Sequence, residues 1–228
     1  MIELNEKLPG KASASTMRTG RPKPVPAEGQ ASAIADVAWR LFLDKGYGGT
    51  TMGDVAAAAR VSLTTVYRLF PGKRDLFKSV VELHRRTMLA LPGDYDDCTL
   101  EEALYRIFQI DIDPESEKER DALMTLFIVE GQRFPELHPL LREYGAEQSA
   151  ILLSAWLQRR AELGLACIPD PSIAAKMLMD IIFGAVSLKS GKGAEWPGGS
   201  ERKTYLRHCL CLVANGLLPR KEPPGRES

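Results

Sequence analysis

The chain has 228 residues, is 44% hydrophobic and carries 30 basic against 30 acidic side chains. That balance suits a globular protein with a sizeable core and excludes a sparsely apolar, highly charged chain that cannot fold. The absence of any apolar run of about 18 residues argues against a membrane span.

Neutrality hides an asymmetry: residues 1–80 hold 12 Lys and Arg against 7 Asp and Glu, whereas residues 81–228 hold 18 against 23. A basic front half suggests contact with a polyanion. Cys98, Cys167, Cys209 and Cys211 show neither a paired framework nor zinc spacing. The N-terminal "MIELNEKLPGKASAS" has no signal-peptide apolar stretch. Reduced thiols, a cytoplasmic location and no cofactor or metal are the expectations.

In chain order, residues 1–28 are rich in Ser, Gly, Ala, Lys and Pro, which predicts a disordered basic arm. Ile34, Val37, Ala38, Leu41 and Phe42 fall at helical spacing, and Gly46 is a natural stop. Thr51 and Asp54 form a capping-box pattern that opens a second, short helix. Ser62 caps a third, running to about Phe70, and Pro71-Gly72 ends it. A fourth starts near Lys73, with Leu76, Phe77, Val80, Val81 and His84 on one side. Two short helices joined by a tight turn and buttressed by longer ones describe a helix-turn-helix. Beyond Leu91, Thr99–Glu102 and Ser116–Glu119 are read as further capping boxes, Leu137 to Gly164 as a helical stripe broken upstream by Pro135, and Asp170-Pro171 as the cap of an apolar helix. The loop "SGKGAEWPGGS" precedes a last helix carrying Tyr205 to Leu217. No strand and no repeat is found, so the expected fold class is all-α, with about nine helices.

The stretch "ARVSLTTVYRLFPGKRDLF" concentrates hydrogen-bonding and cationic groups. The second helix of a helix-turn-helix enters the major groove with its N-terminal residues nearest the bases. Here those are Ser62, Leu63, Thr64 and Thr65, with Tyr67 one turn on. Their hydroxyls suit bases or phosphates, and Leu63 suits a thymine methyl. Lys73 opens the fourth helix, where its ammonium and the helix dipole both attract phosphate, and Thr51 can reach the backbone of the opposite strand.

Residues 31–77 resemble the DNA-binding domain of the TetR (tetracycline-repressor-like) family of bacterial transcription regulators. The carrying residues are Gly46-Tyr47, Thr50-Thr51 before the turn, and Tyr67, Phe70, Lys73 and Leu76 at three-residue steps; "RFPEL" before a long helix adds to them. The resemblance implies a homodimer that binds double-stranded DNA at a palindromic operator and is controlled by a small molecule in the C-terminal domain, a repressor being the expected mode. It also implies that Thr51, Thr64, Thr65, Tyr67 and Lys73 contact DNA. Leu63 and Leu69 depart from the family pattern, which favours polar residues there. The expected division is an arm over 1–28, the DNA-binding domain over 29–77, an effector-binding and dimerisation domain over 78–219, and a tail over 220–228. Arg18, Arg21 and Lys23 of the arm could enter a minor groove.

In the back half, the helix over 172–188 is apolar nearly all round, which calls for burial on several sides. Pairing with the 204–217 helix and their symmetry mates is the reading, with Ile181, Ile182, Ala185, Cys209, Leu210 and Val213 at the dimer interface. Met88, Phe108, Met124, Phe127, Phe134, Tyr144, Trp156 and Met177 are candidates for lining a pocket for an apolar or aromatic effector, with Glu130, Gln132, Arg133 or Gln148 as polar anchors. Control by a protein partner, or by no effector, is the alternative. A helical enzyme is less well supported: His84, His138 and His208 share no turn, and no HExxH, CxxC or glycine-rich phosphate loop is present.

Overall fold

The computed structural model describes residues 27–184 and 201–217. The N-terminal arm with Arg18, Arg21 and Lys23, the dimer candidate Ala185, the 190–200 loop and the 220–228 tail lie outside the described residues. Within them the chain is all-α, with nine helices and no strand.

Helix α1 (Ala27–Gly49) buries Ile34, Ala35, Ala38, Trp39 and Phe42, and bends sharply at Gly46, whose φ of 73° and ψ of 165° are open to glycine at little cost. Helices α2 (Met52–Ala58) and α3 (Leu63–Leu69) follow, joined by a turn in which Arg60 adopts a φ of 56°. Thr51 caps α2 in a complete capping box with Asp54, and Ser62 caps α3. Helix α4 (Lys73–Met88) buries Leu76, Phe77, Val80, Val81 and Met88. Helix α5 (Leu100–Ile107) begins with a second complete box, Thr99 with Glu102.

Helix α6 (Pro114–Arg133) starts differently from the sequence reading. Asp113 is its cap, accepting the backbone N–H of Glu115 and of Ser116 at 3.0 Å each, with Pro114 in the first turn. Asp113-Pro114 outcompetes Ser116–Glu119 because a carboxylate cap and a preset proline φ act together. A short 3-10 turn, Pro135–Leu137, leads into α7, a continuous run made of His138–Leu140, a wide π turn Leu141–Glu147 and Gln148–Glu162. The π turn shifts the helical phase, so one periodic stripe does not describe the whole of α7. Helix α8 comprises Pro171–Met179 and a second wide turn, Asp180–Gly184; α9 is Arg202–Leu217.

Two apolar clusters hold these helices together. The first joins α1–α4 to Leu123 and Leu126 of α6 and to Leu137, so its packing does not divide at residue 77. Inside it runs an aromatic chain: Phe42, Tyr47 and Phe77 stack mutually within 5.3–5.8 Å, and Phe134 and Phe127 extend it from α6 at 5.3 and 5.8 Å. The second cluster packs α5, the later part of α7, α8 and α9 around Leu104, Ile107, Phe108, Leu153, Leu157, Leu178 and Leu210. Arg160, buried on α7, ties the 95–98 loop to this cluster by donating to the carbonyls of Tyr95 and Cys98.

Candidate nucleic-acid interface and cavity

Helix α3 buries Val66 and leaves its opposite edge in solvent. Leu63 is 45% exposed and Tyr67 48%, and Thr64 is exposed between them. Burying such residues would be the ordinary use of Leu and Tyr; displaying both on one short helix leaves an apolar, hydroxyl-bearing edge ready for a groove. The neighbouring hydroxyls are engaged locally. Ser62 Oγ accepts the Thr65 N–H at 3.0 Å and lies 2.8 Å from Thr65 Oγ1. Thr51 Oγ1 accepts the Asp54 N–H at 3.1 Å and donates to Asp54 Oδ2 at 2.6 Å. The Thr51 hydroxyl and the Thr51 backbone N–H, which donates to the same oxygen at 2.8 Å, hold the Asp54 carboxyl below its usual range.

Lys73 opens α4, as the sequence suggests, and its ammonium reaches back to the preceding turn. Its ammonium donates to the Thr50 carbonyl at 2.8 Å, lies 3.4 Å from the Gly48 carbonyl, and sits 4.4 Å from the Tyr47 ring centroid. Partial burial lowers its pKa. The lysine thus clamps the 47–50 turn onto the start of α4. The turn is held from its other side by α6. Glu130, only 3% exposed, accepts the Tyr47 backbone N–H at 3.0 Å, and Phe134 packs against Tyr47 and Gly48. Thr50, fully buried, donates its hydroxyl to the Gly46 carbonyl at 2.9 Å. Glu130 was a candidate pocket anchor; it faces the turn instead.

Between α4, α6, α7 and α8 lies a cavity of about 680 Å³. Of the aromatic and methionine candidates, Met88, Met124 and Phe127 line it. Phe108 and Trp156 do not, being packed in the second cluster; Tyr144 covers the Lys78 ammonium at 4.0 Å, and Met177 points to solvent. Phe134 is occupied by the 47–48 turn, as described. Gln132 lines the cavity, but Arg133 and Gln148 do not. Sequence reasoning missed His84, Arg85, His138, Lys176 and Asp180 on its wall. His84 alone carried a signal, as a polar residue on the apolar side of α4.

Of the dimer candidates, Ile182 and Leu210 are buried within their own chain, and Ile181, Cys209 and Val213 are half-buried. The outward apolar residues of α8 and α9 are Ile173 (60% exposed), Met177 (52%) and Leu212 (75%). Ile182 and Leu210 are thus claimed by the core of their own chain.

A capped two-helix turn presenting the exposed edge of α3 defines a helix-turn-helix DNA-binding protein. Residues 34–80 match the model of bacterial regulatory proteins of the tetR family, and residues 102–209 match the AefR-like transcriptional repressor C-terminal domain. The two spans together cover well over half of the chain, which belongs to the TetR family of DNA-binding transcriptional regulators and is not an enzyme. It is 26% identical over 195 residues to the HTH-type transcriptional regulator YvkB of Bacillus subtilis (strain 168), covering 81% of this chain and 95% of that one. The match to the regulator AcrR of Shigella flexneri is 39% over 62 residues, 27% of this chain and 29% of that one. Among solved structures, a TetR-family regulator of Mesorhizobium loti MAFF303099 shares the fold at a TM-score of 0.62 and 22% identity, over 86% of this chain and all of that one. The flavonoid-responsive regulator FrrA is similar at a TM-score of 0.59 and 25% identity, over 85% of this chain and all of that one. No helix among the described residues is long and apolar enough to cross a membrane.

Proposed function

We propose that this regulator is a ligand-responsive repressor that binds a palindromic operator as a homodimer in the cytoplasm. The observation that carries the reading is the shared use of α6. One part of its C-terminal half, with Phe127 and Gly131, walls the cavity, while Glu130 and Phe134 grip the turn at Tyr47 and Gly48. That turn leads directly to Thr51 and α2, and Lys73 locks it to α4. A ligand that moves α6 therefore moves the base of the helix-turn-helix, provided it binds the two arrangements with different affinity. The similarity to a flavonoid-responsive regulator supports a small-molecule effector.

In this reading, the edge formed by Leu63, Thr64 and Tyr67 meets the bases, and Thr51, Ser62, Thr65 and the α4 N-terminus meet phosphates. The exposed apolar side chains of α8 and α9, Ile173, Met177 and Leu212, meet a second copy. Two recognition helices then sit about one DNA turn apart, 34–36 Å. The test is selection of bound sequences from random DNA by the full-length protein, followed by anisotropy titration with and without candidate effectors. An enriched palindrome, bound by a dimer and released by a small molecule, is the expected result. Enrichment of a single half-site by a monomer would overturn the dimer, and operator binding indifferent to every cavity ligand would overturn the ligand response.

A further inference from the structure

The cavity wall is largely apolar: Met88, Met124, Phe127, Leu141, Met179 and Phe183 present no group that needs a polar partner. Arg85 breaks that pattern. Helix α4 places it on the wall, and its Nη1 is buried with no hydrogen-bond partner. Among the described residues it forms no ion pair. Glu82, one turn earlier, faces Lys78 at 3.9 Å. Asp180, also on the wall, is paired with Lys176. Glu130 of α6 is turned away to Tyr47. With Lys176 paired to Asp180, Arg85 is left as the wall's guanidinium without an ion pair, and Glu82 acts on it only at longer range. His84, adjacent on α4 and also on the wall, has a buried Nε2 without a partner.

A guanidinium set in an apolar wall without an ion pair is costly, and a cavity for hydrocarbon alone has no use for it. The planar fork of arginine matches a carboxylate in two-pronged fashion. The volume of about 680 Å³ falls in the range that holds a small organic ligand. We propose that the cavity binds an organic acid with an apolar body, its carboxylate on Arg85 and its body against Met88, Phe127 and Phe183. This inference rests on the ligand-response reading above. It narrows the effector from any apolar molecule to an anion.

The experiment uses the full-length protein and matched pairs of probes: decanoate with decan-1-ol, and 2-naphthoate with 2-naphthalenemethanol. Calorimetric titration gives affinities, and thermal denaturation gives the shift in Tm. The acids are expected to bind more tightly than their alcohols. Arg85→Gln is expected to weaken the acids by about 10- to 100-fold, the value of a hydrogen bond to a charged group. It should leave the alcohols unchanged and not lower the Tm of the ligand-free protein. Should Arg85→Gln fail to fold, Arg85→Lys, which keeps the charge but loses the fork, should show a smaller loss of the same kind. Ala150→Phe, which fills the cavity, should abolish both series. Equal binding of acids and alcohols, unaffected at Arg85 but lost in Ala150→Phe, would overturn the anion and leave the ligand cavity standing. No binding by either series would overturn both.

Discussion

Removing the Glu130 carboxylate is the most direct probe of how the two halves are joined. Glu130 is 3% exposed and accepts the Tyr47 N–H at 3.0 Å, immediately after the left-handed Gly46. In Glu130→Ala that N–H stays enclosed by Phe134 and loses its acceptor. A hydrogen bond to a charged group plus an orphaned buried donor is worth about 2–3 kcal/mol. The ion pair with Arg133, at 3.7 Å, adds little, because Arg133 is exposed. For a chain of this length the loss corresponds to a fall in Tm of about 5–10 °C. Glu130→Gln keeps a carbonyl acceptor in the same volume and should lose less than half as much. Urea denaturation of the purified variants, followed by far-UV circular dichroism, measures both. An alanine variant within about 0.5 kcal/mol of the parent would refute the reasoning, since it would mean that the turn does not depend on α6.

Other perturbations separate folding from recognition. Gly46→Ala places a Cβ at a φ of 73° and 3.2 Å from Glu130 Oε1, so it should cost about 1–2 kcal/mol from the backbone alone; an unchanged urea midpoint would contradict this. Ser62→Ala removes the α3 cap and should cost about 1 kcal/mol while also weakening DNA binding, as read by urea melts and anisotropy. Thr64→Ala and Tyr67→Phe touch only the exposed edge, so stability should move by less than about 0.5 kcal/mol while operator affinity falls. Leu212→Asp puts a charge on the exposed apolar face of α9 and should shift the dimer to monomer in sedimentation velocity without unfolding the chain.

The helix-turn-helix was legible because its signals are local. Thr51 with Asp54, Ser62 and the Pro71-Gly72 break act over three or four residues, and each sets a helix end by itself. The start of α6 was misread by the same logic, since two caps competed and the sequence did not weigh Asp113-Pro114 against Ser116. The cavity was only partly legible. Helical spacing marks Phe108, Trp156, Phe127 and Met124 alike as inward, but α5 and the later part of α7 turn the first two into one cluster, whereas α6 turns the last two toward a gap. Whether an inward face meets core or void depends on how helices distant in sequence cross, and no local pattern holds that information. Arg85 was invisible for a related reason: a long cationic side chain normally carries its charge into water, and only the neighbours of α4 show that one of its nitrogens does not get there.

Lys73 joins the two problems, because its position serves the fold and its charge suits DNA. The ammonium already donates to Thr50 and lies over Tyr47, yet it has three N–H groups and is only partly covered. Lys73→Met keeps most of the side-chain stem and removes the charge. The clamp predicts a loss of about 1 kcal/mol in urea denaturation, the value of one ordinary hydrogen bond. A phosphate contact predicts, in addition, that the slope of log affinity against log salt flattens by about 0.9. Both changes together are expected, since the charge stays beside the exposed α4 N-terminus whichever carbonyl it touches. A stability loss with an unchanged slope would assign Lys73 to the turn alone. A flattened slope with no stability loss would mean that the clamp contributes nothing to the fold, and the turn would then rest on Glu130 and Phe134.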